Sequence, residues 1–297
     1  MFFGNKIEER EFLDFRFWIA DFGFNFMSDN ARKIQIVLAA FGTSTDSSSI
    51  YTGLNELFEE RFKQKIPMGF TSRVGEPKLK TVLENISSKK DVEVVITPLF
   101  MIPGRVVLDD IEKAEEEYKQ DFKSIKMAKP LLPDESIYHV LKEELLPDLK
   151  KSKLEETGIL FVGHGTPDRE SSLIYVNCAQ NVKSLLPSSV KVAFGNVEFS
   201  PPYCRDVLGE LVMSGIKNLL VQPFMIVDGV HIHEDIKGTL DGDHHENKIY
   251  HHLLNNYGEP FKKRLDEIEF IYKPGLGAYR GIFEIFADHT MRVISES

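Results

Sequence analysis

The amino-acid sequence predicts an α/β fold built from two duplicated halves, each a parallel sheet flanked by helices, with a cleft between the halves. Three observations carry this expectation. Short apolar runs alternate with amphipathic segments from residue 33 onward, the pattern of βαβ crossovers and parallel pairing. Residues 222–236, Gln-Pro-Phe-Met-Ile-Val-Asp-Gly-Val-His-Ile-His-Glu-Asp-Ile, have a gap-free counterpart in residues 97–111. Motif pairs also recur at nearly constant spacing: Phe41-Gly42-Thr43 and His164-Gly165-Thr166 lie 123 residues apart, Pro98 and Pro223 lie 125 apart, and Lys129-Pro130 and Lys273-Pro274 lie 144 apart. The last spacing exceeds the second by 19, about the size of a polar insert at residues 238–252. A chain of 297 residues is long enough for two sizeable cores.

In the first half, residues 34–40 form a β-branched, apolar run that ends in Phe41-Gly42-Thr43-Ser44. Ile50, Leu54, Leu57, Phe58 and Phe62 then fall on one helical face. The reading continues as strand 68–72, helix 77–86, strand 92–101, a charged helix 106–122, strand 125–131 and a closing helix 137–149. The second half repeats the order with strand 158–162, the turn Gly163-His164-Gly165-Thr166, helix 171–186, strand 190–199, helix 203–213 and strand 219–227. After the polar insert come a helix ending at residue 266, strand 268–273 and helix 282–293. The chain thus divides into an appendage (1–32), a first half (33–150) and a second half (151–297) that carries the candidate site. The appendage holds eight of the 22 phenylalanines and the only tryptophan, Trp18. It reads as a short amphipathic helix docking on the body or on a neighbouring subunit of a homo-oligomer, or as a stretch upstream of a natural start at Met27.

Lys plus Arg number 36 against 46 Asp plus Glu, a net charge of −10, which argues against a nucleic-acid binder that must neutralise phosphates. Cys178 and Cys204 lie 26 apart with no CxxC, so they read as buried structural thiols, not as a disulfide framework or a cysteine metal site. No stretch reaches the roughly 18 consecutive apolar residues of a membrane span. Glu8, Glu9, Arg10, Glu11 and Asp14 interrupt the apolar core that a signal peptide would need. The expected location is the cytoplasm.

Ligands of parallel sheets bind beyond the carboxyl ends of the strands. In the second half those ends deliver His164, Glu198, and His231 or His233 to one rim. Two imidazoles and a carboxylate, with no thiolate, suit Co(II), Fe(II), Ni(II) or Zn(II). The first half presents Phe41, Thr71 or Ser72, and Val106 at the matching places, and Leu108 stands opposite His233. One metal site, carried by the second half alone, is the expectation. Glu198, between Val197 and Phe199, would be costly to bury without a cation or a histidine beside it. His244, His245, His251 and His252, in or beside the polar insert, read as solvated residues. Neither a P-loop nor a Gly-x-Gly-x-x-Gly fingerprint is present.

These residues, taken together, resemble the class II tetrapyrrole chelatases, and most closely the anaerobic sirohydrochlorin cobaltochelatases of the long, duplicated type. The resemblance rests on Phe41-Gly42-Thr43-Ser44, Phe70-Thr71-Ser72, Gly163-His164-Gly165, Val197-Glu198, Asp228-Gly229-Val230-His231 and Gly275-Leu276-Gly277, in family order from residue 33 to the end. It implies two flavodoxin-like (chelatase-like) halves and ATP-independent insertion of a divalent metal, Co2+ before Fe2+ or Ni2+, into sirohydrochlorin in anaerobic cobalamin synthesis. It also implies metal ligation by His164, Glu198 and His231, with His164 and Glu198 catalytic and no cofactor beyond the substrate metal. Val230 departs from the aspartate that close relatives carry before the histidine, and His233 is additional. Iron insertion for sirohaem or haem, and a tetrapyrrole- or metal-binding protein without turnover, are the other readings. A polycarboxylate substrate on an acidic chain calls for local compensation, expected from the helix N-termini after Thr43-Ser44 and Thr166 and from Arg73, Arg105 and Arg280.

Overall fold

The computed structural model describes residues 32–42, 48–72, 74–104, 107–227, 232–241 and 247–296. Its first strand, β1 (Lys33–Ala40), shows why the sheets form. Ile36, Leu38 and Ala40 enter one core while Val37 and Ala39 enter another, so a continuous apolar run is needed to bury both faces. The chain continues through α1 (Ser48–Phe62), β2 (Met68–Phe70), α2 (Leu79–Glu84), β3 (Val92–Pro98), α3 (Glu112–Tyr118), β4 (Ser124–Met127) and α4 (Ser136–Leu149). The second half supplies β5 (Thr157–Gly163), α5 (Arg169–Ser184), β6 (Lys191–Asn196), α6 (Cys204–Met213), β7 (Asn218–Pro223), α7 (Gly238–Asp241), α8 (Lys248–Leu265), β8 (Glu269–Tyr272) and α9 (Arg280–Ser295). The sheet orders are β2-β1-β3-β4 and β6-β5-β7-β8, with the described pairs parallel. Both sheets therefore reverse direction at their first strand, between β1 and β3 and between β5 and β7, where such folds place ligands.

The inward faces of both sheets share one core. Ile36 and Leu38 of β1 join Ile159 and Phe161 of β5, Ile137 and Leu141 of α4, and Phe283 and Phe286 of α9. The outward face of the first sheet is covered by Leu79, Leu83 and Ile111, and that of the second by Leu208, Val212 and Leu253. Each half's last helix lies against the other half: α9 on β3 and α1, α4 on α5. Thr97 of β3 hydrogen-bonds Thr290 of α9 at 2.7 Å, and Lys273, beyond β8, reaches Asp148 Oδ2 at 2.8 Å and the Glu144 carbonyl at 3.0 Å on α4. Residues 34–297 accordingly form one compact unit.

Several expected boundaries shift. The strands expected over 92–101 and 219–227 stop at Pro98 and Pro223, because the apolar residues beyond them are buried as loop: Leu99, Met101 and Ile102 in one half, Phe224, Ile226 and Val227 in the other. The charged helix expected over 106–122 opens instead with a π-helical turn, Val107–Ile111, and ends with α3. A second π-helical turn, Ile232–Lys237, lies 125 residues on, the spacing of Pro98 and Pro223. The helix after the polar insert starts at Lys248, so His251 and His252 are helical, and His252 Nε2 stands 3.3 Å from Asp206 Oδ1. His244 and His245, like residues 1–31, lie outside the described residues. Both cysteines are buried and form no disulfide, and burial pushes the Cys178 thiol up to about 12. No helix among the described residues is long and apolar enough to cross a membrane.

Candidate active site

Strand β5 is buried at every position up to Gly163, and the next residue, His164, is the first to meet solvent on that rim. Its neighbour β6 ends at Asn196, so Glu198 is not within a strand, as the expected boundary at 199 implied, but two residues beyond one. Parallel pairing nonetheless runs on past both strand ends. Val197 N donates to the Gly163 carbonyl at 2.9 Å, and Glu198 N donates to the His164 carbonyl at 3.0 Å. Gly165 tightens this junction: its φ is +92°, and a Cβ there would sit 1.9 Å from the Glu198 carbonyl oxygen. Only glycine fits that position. The peptide bonds thus bring His164 and Glu198 together.

The side chains differ in environment. His164 is half-buried, and its Nδ1 lies 3.4 Å from the Gly165 carbonyl, so an Nδ1–H donated there leaves the ring's lone pair on Nε2. Glu198 is exposed, so the desolvation cost expected for a buried carboxylate does not arise. The ring of Phe199 stands 5.4 Å from the His164 ring, centroid to centroid. Behind this turn sits a polar brace that the sequence did not announce. Buried Asn196 donates Nδ2–H to the Ser200 carbonyl at 2.9 Å, Ser200 Oγ meets Ser172 Oγ of α5 at 3.1 Å, and Thr166 N donates to Ser200 Oγ at 3.4 Å.

His231 lies outside the described residues. His233 has its backbone in the π-helical turn Ile232–Lys237 and not in a strand. Among the described residues, no group of three or more His, Cys, Asp and Glu side chains is close enough to hold a metal. The basic compensation is also changed. Asp168 caps α5, its carboxylate accepting from Ser171 N at 2.7 Å, so a side chain of the protein already occupies the helix N-terminus expected to receive a substrate carboxylate. Hydrogen bonding to Ser171 holds the Asp168 carboxyl below the usual carboxylate range. Arg280 pairs with Glu284 at 3.4 Å, while Arg73, Arg105 and the Thr43-Ser44 turn lie outside the described residues.

The first half repeats the junction without the chemistry. β1 ends at Ala40 and Phe41 takes the place of His164. Thr71 N donates to the Ala40 carbonyl at 3.0 Å, as Val197 does to Gly163, and a Cβ on Gly42 would meet the Val74 carbonyl oxygen at 1.8 Å, as one on Gly165 meets Glu198. The loop is two residues longer here, since 196 − 70 is 126 from strand end to strand end but 198 − 74 is 124 at the glycine contact. Ser72 and Val74 share the place of Glu198, so Val74 joins the expected Thr71 or Ser72 as a counterpart.

Comparison with known proteins places this architecture. The family model described as cobalt chelatase (CbiK) matches residues 92–295, and the CbiX model matches residues 35–147. The sirohydrochlorin cobaltochelatase CbiKC of Nitratidesulfovibrio vulgaris is 26% identical over 89% of this chain and 91% of its own length. A sirohydrochlorin cobaltochelatase of Methanocaldococcus jannaschii is 30% identical over 44% of this chain but 94% of its own, the coverage expected where one chain carries two copies of the other. Among solved structures, SirB from Bacillus subtilis with Fe3+ superposes with a TM-score of 0.64 over 88% of this chain and 95% of that one, at 14% identity, a likeness of fold.

Proposed function

Because the chain belongs to the cobalt chelatase (CbiK) family, we propose that this metal chelatase inserts Co2+ into sirohydrochlorin, without ATP, for anaerobic cobalamin synthesis. The observation that carries the site is the Glu198 N–H···O=C His164 hydrogen bond of 3.0 Å, with Gly165 packed beneath the Glu198 carbonyl. It makes neighbours of two proposed ligands, and His231, after β7, completes the set. Residues 33–150 and 151–297 are assigned as the two repeat units, residues 1–32 as an appendage, and the space between the repeats as the seat of the macrocycle. Buried cysteines that form no disulfide support a reducing cytoplasm as the location.

Metal insertion exchanges two pyrrole N–H protons for one M2+. The protein must therefore hold the ion against the ring, release it, and receive protons. Glu198 is an exposed carboxylate and brings the ion in without the trap a thiolate would make. His164 offers the Nε2 lone pair, first as ligand and then as proton acceptor once the ion has passed to the macrocycle. The test is an anaerobic absorbance assay with sirohydrochlorin and Co(II), run beside Fe(II) and Ni(II). Metallated product over many turnovers, fastest with Co(II), is the expected result. A shift that stops at one equivalent would make the protein a carrier, and faster Fe(II) insertion would reassign the metal.

A further inference from the structure

Phe199 has a conformation that the fold alone does not require. Its φ is +62°, in the left-handed region that aromatic residues rarely enter. Ser200 N donates to the Glu198 carbonyl at 2.7 Å across it, closing a γ-turn of the strained, positive-φ kind. The brace of Asn196, Ser172 and Thr166 on Ser200 fixes this turn from behind, so the strain is held by surrounding structure. What the turn gains is placement, since the Phe199 side chain is 56% exposed and its ring lies tilted by 31° at 5.4 Å from His164.

The first half has a positive-φ residue at the matching place, without the ring. Gly75, 124 residues earlier, follows Val74 as Phe199 follows Glu198, and has a φ of +97°. Glycine makes this backbone at no steric cost. A phenylalanine kept exposed in a strained turn, where the repeat uses glycine, contributes little to the core.

We propose that Phe199 is a substrate-positioning residue: its exposed ring stacks on one face of the tetrapyrrole and sets the macrocycle beside the His164 imidazole. The chemistry fits a flat π-system, which offset stacking on an aromatic ring holds without a hydrogen bond. The proposal deepens the chelatase reading and rests on it.

The experiment titrates metal-free sirohydrochlorin into wild type, Phe199→Gly, Phe199→Leu and Phe199→Trp, and measures KM, kcat and the unfolding midpoint of each. Phe199→Gly restores the residue type of the first half, so its unfolding midpoint is expected at or above that of wild type. Its tetrapyrrole Kd and KM should rise about tenfold with Co(II) affinity unchanged, Phe199→Trp should bind like wild type, and Phe199→Leu should resemble the glycine variant. Unchanged tetrapyrrole Kd in Phe199→Gly would overturn the proposal, as would a lowered midpoint with no recovery in Phe199→Trp. Wild-type protein that neither binds nor metallates sirohydrochlorin would instead reject the function on which the proposal stands.

Discussion

The two rims at the carboxyl ends of β1 and β5 have nearly the same backbone and almost nothing chemical in common. Both use a glycine that lets a neighbouring carbonyl approach to less than van der Waals distance of an absent Cβ, Gly42 under Val74 and Gly165 under Glu198. Both follow that carbonyl with a positive-φ residue, Gly75 or Phe199. Yet one rim presents Phe41, Ser72 and Val74, and the other presents His164, Glu198 and Phe199. The difference teaches that the junction is a requirement of the fold, while the polar side chains His164 and Glu198 are a separate addition to it. The exposed apolar groups of the first rim, Phe41 at 43% and Val74 at 49%, mark where chemistry is missing.

The largest test of this contrast is His164→Ala, which should lower kcat by at least ~100-fold, against Phe41→Ala, which should leave kcat within about threefold. Similar losses in both variants would break the comparison. Next comes Glu198→Gln beside Val74→Ala. The first should weaken the apparent Co(II) affinity about tenfold or more, as loss of a charged ligand does, and the second should not alter it. Steady-state rates over a Co(II) series would show the difference.

The glycines sharpen the comparison in the opposite sense, because here the two rims should behave alike. Gly42→Ala and Gly165→Ala each force a Cβ into a backbone carbonyl and should each destabilise by about 1–3 kcal/mol in denaturant unfolding. Gly165→Ala carries an added positive-φ cost and, unlike Gly42→Ala, should also displace Glu198 and depress activity.

The smallest expected effect concerns the helix crossing between halves. His289 of α9 is buried, with Nε2 2.9 Å from Asp134 Oδ2 and Nδ1 3.1 Å from the Lys129 carbonyl, both ahead of α4. Burial alone would raise the Asp134 carboxyl, but hydrogen bonds from His289 and from Ser136 N outweigh it and hold the carboxyl below the usual range. A depressed carboxylate pKa stabilises the folded state above the unfolded value of about 3.9, and that contribution is lost as pH falls through the lower, folded value. Asp134→Asn should therefore cost about 1 kcal/mol at neutral pH and flatten the acid limb of the stability profile. An acid limb identical to wild type would show that this contact does not couple the halves.

Much of this architecture was legible because parallel strands buried on both faces leave an unmistakable apolar run. β1 and β5 are read within a residue or two of their bounds for that reason. β3 and β7 were overextended, since apolar composition reports burial and not pairing: Leu99 and Phe224 are fully buried one residue after the proline that ends each strand. The π-helical turns are not legible in the sequence, because a shift of hydrogen-bond partner by one residue leaves no mark on hydrophobic period. Glu198 was named from its residue type, but its exposure depended on a strand ending two residues earlier. Phe199 reads in the sequence as an apolar neighbour of Glu198; its match to Gly75 follows only once the structure puts Val74 in the place of Glu198.

The sequence by itself determined the duplication, the parallel α/β class and the asymmetry of imidazoles between the halves, because these follow from period, spacing and residue identity along the chain. Only the tertiary structure decided that the His164 and Glu198 peptides hydrogen-bond and that each half's last helix packs on the other. Those outcomes depend on strand ends, turn dihedrals and contacts between residues far apart in the chain, none of which local pattern encodes.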